Sequence, residues 1–131
     1  MIVGDVMLDR YFWGEVSRIS PEAPVPIVNV KKNSSVLGGA ANVAANISGL
    51  NADPILVGIC GFDNAADELK ELLNKSKITN YIFPIKDRKT TVKTRIIAHS
   101  QHVARLDQES TDKISIKESD EIYQKIQELL D

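Results

Sequence analysis

Two aspartates, two glycines and an asparagine carry the first chemical signal. Asp5 and Asp9 lie in GDVMLD, and Gly38-Gly39 stand directly before an alanine-rich stretch that holds Asn42. Paired glycines at a strand-to-helix junction let a ligand approach the backbone, because no Cβ stands in the way. They also leave the free N–H groups of the new helix pointing outward. A carboxylate only accepts hydrogen bonds, so Asp5 or Asp9 suits a polyhydroxyl ligand, and an Asn side chain both donates and accepts. Each feature also has a plain structural use. The glycines serve in any tight connection, and an aspartate after a strand stabilises a turn.

The elements that must position these residues follow from periodicity. Residues 2 to 5 form a short apolar strand running into Gly4-Asp5, and ligands of open α/β sheets gather at the carboxyl ends of such strands. A helix is predicted from about Ala40 to Leu50, with Val43, Ile47 and Leu50 on one face and a small, polar opposite face. PILVGICG is an unbroken apolar run, as in a parallel strand covered on both sides, and places Cys60 in a core. Asp63 caps a helix through about Asn74, with Leu69, Leu72 and Leu73 inward. Ser115-x-x-Glu118 matches a capping box opening a last helix with Ile122, Ile126 and Leu129 as its stripe. Between these lie β segments. SPEAPVPIVNV carries Pro21, Pro24 and Pro26, so it must be extended at an edge or at the start of a strand. TTVKTRIIAHSQHVARLDQE reads as a hairpin. Strand, helix, strand, helix with β insertions means an α/β layer plus a separate small sheet.

Composition narrows the partners. The 131 residues suffice for one domain-sized core, with 43% hydrophobic and 26% charged residues. A net charge of -2 provides no broad basic surface for nucleic acid or anionic membranes. The single cysteine forms no internal disulfide, which suits a reducing cytoplasm. The opening MIVGDVMLDR meets two aspartates before any long apolar run, so no signal peptide or membrane span is expected. Both ends look cut: MIVGD reads as the tail of a strand, and the last helix has nothing after it to meet its stripe.

GDVMLD followed by GGAANVAANISGLNADPILVGICGFD resembles the N-terminal half of the ribokinase-like sugar kinases. Gly38, Gly39, Ala40, Asn42, Ala44 and Gly61 fall in register with that family's first signature. Asn51 stands where the family usually has Gly or Ser, and Asn tolerates the left-handed conformation at a helix end. DRYFWGEVSRISPEAPVPIV and TTVKTRIIAHSQHVARLD are similar to one branch, the D-glycero-D-manno-heptose 7-phosphate kinases of ADP-heptose synthesis for lipopolysaccharide. The resemblance implies the N-terminal half of a ribokinase-like three-layer α/β/α fold with an inserted β-sheet lid. The layer would take about 1–9, 38–87 and 109–131, and the lid about 10–37 and 88–108. It also implies an ATP- and Mg2+-dependent transfer to the sugar's anomeric hydroxyl, giving the 1,7-bisphosphate. The Gly-Ala-Gly-Asp catalytic motif and the Asn-x-x-Glu metal motif of the family lie downstream in its members, and neither occurs here. The chain therefore reads as the sugar-binding half, with no catalytic residue and no metal of its own, inactive alone.

Within that resemblance, Asp9, Gly38, Gly39 and Asn42 would meet the sugar. Lys93, Arg95 and Arg105 are candidates for the substrate's phosphate, and equally for cross-strand ion pairs. Hairpin register decides which face Arg105 takes. A three-residue turn at Ser100-Gln101-His102 sets Arg95 against Asp107 and Lys93 against Glu109, with Arg105 on their face; a two-residue turn at Ser100-Gln101 sends it to the other. His99 and His102 sit at the tip without metal-ligand company. Tyr11, Phe12 and Trp13 put a ring on both faces of one strand, which marks the lid as a surface for a homodimer. The alternatives are a kinase of another sugar in the family, or a dimerisation module without activity.

Overall fold

The computed structural model describes all of residues 1–131. Two sheets divide the chain. The first is parallel, in the order β1-β4-β5, from β1 (Ile2–Val3), β4 (Ile55–Cys60) and β5 (Thr79–Pro84). The second, in the order β3-β2-β6-β7, holds two fourteen-residue strands, β2 (Val6–Ile19) and β3 (Pro26–Gly39), and the hairpin β6 (Val92–Ala98) and β7 (Gln101–Gln108). β2 is antiparallel to β3 and parallel to β6. Three helices complete the fold: α1 (Ala40–Gly49), α2 (Asn64–Lys75) and α3 (Ile116–Glu128).

The core lies between the parallel sheet and α1 and α2, where Leu56, Ala41, Ala44, Leu69 and Leu73 are fully buried. β4 is the central strand of its sheet, which is why ILVGIC reads apolar throughout, with Cys60 packed in the core. Burial raises the Cys60 thiol above its ordinary value. α2 also serves the second sheet: Ala65, with Leu72 beside it, packs on Leu8 of β2 and Val92 of β6. The α2 cap is as its sequence predicts, the Asp63 carboxylate accepting from the Ala66 N–H at 2.9 Å. The Ser115/Glu118 capping box is formed at α3.

Three expectations need correction. The apolar face of α1 is not the buried one: Val43 and Leu50 are exposed, and Ala41 and Ala44 are inward. Small residues win because α1 lies close against the strands it follows. The second sheet begins four residues earlier than the expected lid boundary at Arg10, so Asp9, Gly38 and Gly39 belong to it rather than to the layer. β2 and β3 pair without interruption from Val6↔Gly39 outward, and a continuous ladder has no reason to break at Arg10. Finally, the β6–β7 turn is His99-Ser100, with φ of 49° and 63°. Asn51 does adopt the left-handed conformation, at φ 61°, and closes α1 through Ala52 N–H to Ile47 C=O and Asn51 N–H to Ser48 C=O. Pro26 starts β3, an edge strand where a missing N–H costs little.

Candidate functional site

Alternation along β2 divides its side chains between two faces. Leu8, Arg10 and Phe12 take the rear, where Leu8 is buried under α2 and the Arg10 guanidinium bonds Glu68 of that helix. Met7, Asp9, Tyr11 and Trp13 take the front. The neighbouring registers bring Gly38 beside Met7, Lys93 beside Asp9 and Arg95 beside Tyr11 on that face.

Asp9 is the centre of the front face. Its side chain is 17% exposed, and Arg95 Nη1 donates to Oδ1 at 2.6 Å. That bond holds the Arg95 guanidinium further into its charged form. The other oxygen, Oδ2, lies 2.6 Å from where a Cβ on Gly38 would stand, with Met7 Cγ at 2.7 Å. Gly38 therefore lacks a side chain because the Asp9 carboxylate and Met7 fill the space, a reason found in the protein itself. Gly39 has another: at φ 56° it turns the chain from β3 into α1, and a Cβ would strike the Asp5 carbonyl oxygen at 2.4 Å. That carbonyl accepts the Ala40 N–H at 2.9 Å, which gives Asp5 a backbone role in the turn. No side chain caps α1 and no acidic residue lies in its first turn, so its N-terminal dipole is uncompensated. Asn42 lies in this first turn, exposed and with no hydrogen bond to the other candidates.

The remaining cations gather round a second carboxylate on the same face. Arg105 grips Asp107 with two nitrogens, Nε to Oδ1 and Nη2 to Oδ2, each at 3.0 Å, and Lys93 Nζ lies 3.2 Å from Oδ2. Glu109 is 3.8 Å from Lys93. Burial would raise the Asp107 carboxyl, but the bonds from Lys93 and Arg105 outweigh it and hold it below the ordinary range. Arg105 reaches this face by a route that differs from both expected registers. The turn comes one residue early, and an irregularity between Ile96 and Ile97 restores the parity, setting Arg95 opposite Arg105 and Lys93 opposite Asp107. Three cations and three carboxylates thus share the face, and each cation is paired.

A joint behind the face escaped the sequence reading. Thr90, fully buried, accepts from Gly61 N–H and donates its own N–H to Asp63 Oδ2, both at 2.9 Å. Asp63 thereby ties the start of α2 to the segment that leads into β6. Burial would raise its carboxyl, but the bonds from Thr90, Ala66 and Ala65 outweigh this and lower it. A Gly-x-Asp after a buried strand signals the cap but not its distant partner. No three His, Cys, Asp or Glu side chains converge as a metal site. No helix is long and apolar enough to cross a membrane.

The chain is similar to known proteins. The bifunctional protein HldE of Aliarcobacter butzleri is 51% identical over 88% of this chain and 24% of its own length. That of Campylobacter fetus subsp. fetus is 41% identical over 99% of the chain and 28% of its own. The chain spans about a quarter of the length of the curated relatives it matches. Among solved structures, a ribokinase of Arabidopsis thaliana complexed with ribose and ATP matches with a TM-score of 0.67 at 18% identity, over 92% of this chain and 40% of that one. A carbohydrate kinase of Agrobacterium tumefaciens matches at 0.65 and 22% identity, over 81% and 34%. The fold is ribokinase-like α/β. Residues 1–129 match the description "pfkB family carbohydrate kinase", and the chain belongs to that family.

Proposed function

We propose that this chain is the sugar-binding portion of an ATP-dependent kinase that phosphorylates D-glycero-D-manno-heptose 7-phosphate at O1. The observation that carries the reading is Asp9: a carboxylate fixed at one oxygen by Arg95, its other oxygen over Gly38, on the sheet face beside the uncapped start of α1. Such an acceptor suits sugar hydroxyls, and Asn42 supplies a donor and acceptor from the helix. Likeness to HldE proteins across most of the chain supports the heptose, and RISPEAPVP with the β6–β7 sequence supports that branch. Lys93 and Arg105 can take the substrate's phosphate if it displaces Asp107, exchanging one anion for another. In the complete kinase the anomeric oxygen forms the new O–P bond, the bond to the leaving ADP breaks, and the hydroxyl proton passes to a base. The base and the ATP and Mg2+ sites lie, in this reading, outside these 131 residues, so the chain alone does not turn over.

Calorimetry on the complete kinase tests this. Asp9→Asn weakens sugar binding roughly ten- to a hundredfold, the effect of losing a charged acceptor to a buried hydroxyl, and leaves nucleotide affinity unchanged. An unaltered sugar affinity removes Asp9 from the site. Thermal shifts with heptose 7-phosphate, fructose 6-phosphate and ribose separate the candidate sugars.

A second reading can hold beside the first: the four-stranded sheet pairs two subunits. Val25, Val30, Val36 and Ile19 are exposed on β2, β3 and their connection, and the ribbon beyond Gly14↔Ala98 has no third strand. Sedimentation decides. A dimer loosened by Trp13→Lys supports it, and a monomer at micromolar concentration refutes it.

A further inference from the structure

The front face carries one continuous run of contacts that ends on the Arg95–Asp9 pair and that the sugar-site reading otherwise does not use. Lys32 Nζ lies 5.2 Å from the Trp13 ring centre. Trp13 stacks on Tyr11, with centroids 5.5 Å apart and planes inclined by 15°. The Arg95 guanidinium lies 5.2 Å from the Tyr11 ring centre and donates to Asp9. Each step joins cross-strand partners, residues two apart on one strand or, for Arg95 and Asp9, diagonal neighbours across β6 and β2, so the run is built by register.

Arg95 has two directions open to it. Toward β7 its directly paired neighbour is Arg105, a like charge, and the carboxylate beyond, Asp107, already holds Lys93 and Arg105. Toward β2 it meets the Tyr11 ring, and a guanidinium over an aromatic ring is attracted by the ring's negative face. The Tyr11 ring is stacked on Trp13, and Lys32 packs on Trp13 in turn. We propose that Tyr11 is a positioning residue: braced by Trp13, its ring holds Arg95 on Asp9 Oδ1 and so keeps Oδ2 turned toward Gly38 for a sugar hydroxyl. The assignment rests on the reading of Asp9 as a sugar ligand. Without the ring, Arg95 samples other orientations, and Asp9 loses the partner that fixes its rotamer.

The test uses the complete kinase. Tyr11→Leu raises the KM for the sugar about fivefold, the scale of one partly buried cation–π contact, with kcat and the KM for ATP unchanged. Tyr11→Phe keeps the ring and restores the parent value. In an Arg95→Met background the Tyr11→Leu substitution adds less than about twofold, since residues acting through one another are not additive. An equal loss in both backgrounds, no loss in either, or a Phe variant as weak as the Leu variant overturns the proposal. An Arg95 Nη–H resonance of the sugar-free protein, from the group that donates to Asp9 Oδ1, provides a readout that does not depend on the sugar site. It stays exchange-protected in Tyr11→Phe and loses protection in Tyr11→Leu, or in Tyr11→Met should the Leu variant not fold; unchanged protection in either overturns the proposal. If Asp9→Asn leaves sugar affinity intact while this resonance behaves as stated, the sugar-site reading has failed and the positioning of Arg95 has not.

Discussion

In the parallel sheet and its helices, Leu56, Val57, Leu69 and Leu73 are removed from water completely; in the four-stranded sheet such burial stops at Leu8, and every residue of β7 is exposed. The first region is held by apolar area taken out of water. The second is rooted by Leu8 and Val92 against α2, and beyond the root it depends on ladder hydrogen bonds, ion pairs and the Tyr11–Trp13 stack. Few buried contacts and many exposed backbone bonds make a unit that opens before the rest of the protein does. The candidate ligand groups sit on the side of this softer sheet, close to where it joins the firmer body.

Four substitutions sharpen or break this contrast. Leu69→Ala, in the body, lowers stability by about 2–5 kcal/mol, while Leu106→Ala, on the exposed hairpin, costs less than about 0.5 kcal/mol. Denaturant unfolding checks both, and comparable losses would abolish the distinction.

The joint comes next. Asp63→Ala removes the α2 cap and the acceptor of the Thr90 N–H, and costs about 1–2 kcal/mol. Hydrogen exchange then shows β6 and β7 losing protection before β4. Acid acts on the same joint. Asp63 has a carboxyl lowered in the folded state, and so does Glu68, where burial opposes the shift but bonds from Ser35 and Arg10 outweigh it. A lowered carboxyl contributes stability that is complete above the ordinary value near about pH 4, and is lost as pH falls through the folded value. Protection of β6 and β7 therefore declines below about pH 4 ahead of the body. A simultaneous loss in both sheets would contradict a separate joint.

The smallest effect is expected at the hairpin tip. Ser100 holds φ at 63°, so Ser100→Gly relieves left-handed strain and raises stability by about 0.5 kcal/mol, visible as slower exchange in β6 and β7 alone.

Much of this fold is legible where one residue type has one use. The Asp63 and Ser115 caps, the buried β4 run and the left-handed Asn51 follow from local chemistry acting over three or four residues. The inward face of α1 does not. Its valine and leucine stripe outranks its alanines in hydrophobicity, yet close approach to β3 selects the alanines. The hairpin was ambiguous for a related reason: residues 99–102 contain no glycine to mark a turn, so His99-Ser100 accepted positive φ instead. The irregularity between Ile96 and Ile97 then returned Arg105 to the face of Lys93 and Arg95.

The sequence by itself determined which groups are available: a carboxylate at Asp9, glycines at 38 and 39, and cations at 93, 95 and 105. It also determined the short-range elements that carry them, because caps, alternation and turn residues act on neighbours. Only the tertiary structure decided which carboxylate each cation meets, that the Asp9 carboxylate and Met7 stand where a Gly38 side chain would, and that Asp63 reaches Thr90. These depend on register between strands that are distant in the chain. A one-residue slip moves a side chain to the other face, and nothing within a few residues of Arg95 records that Tyr11 will lie beside it.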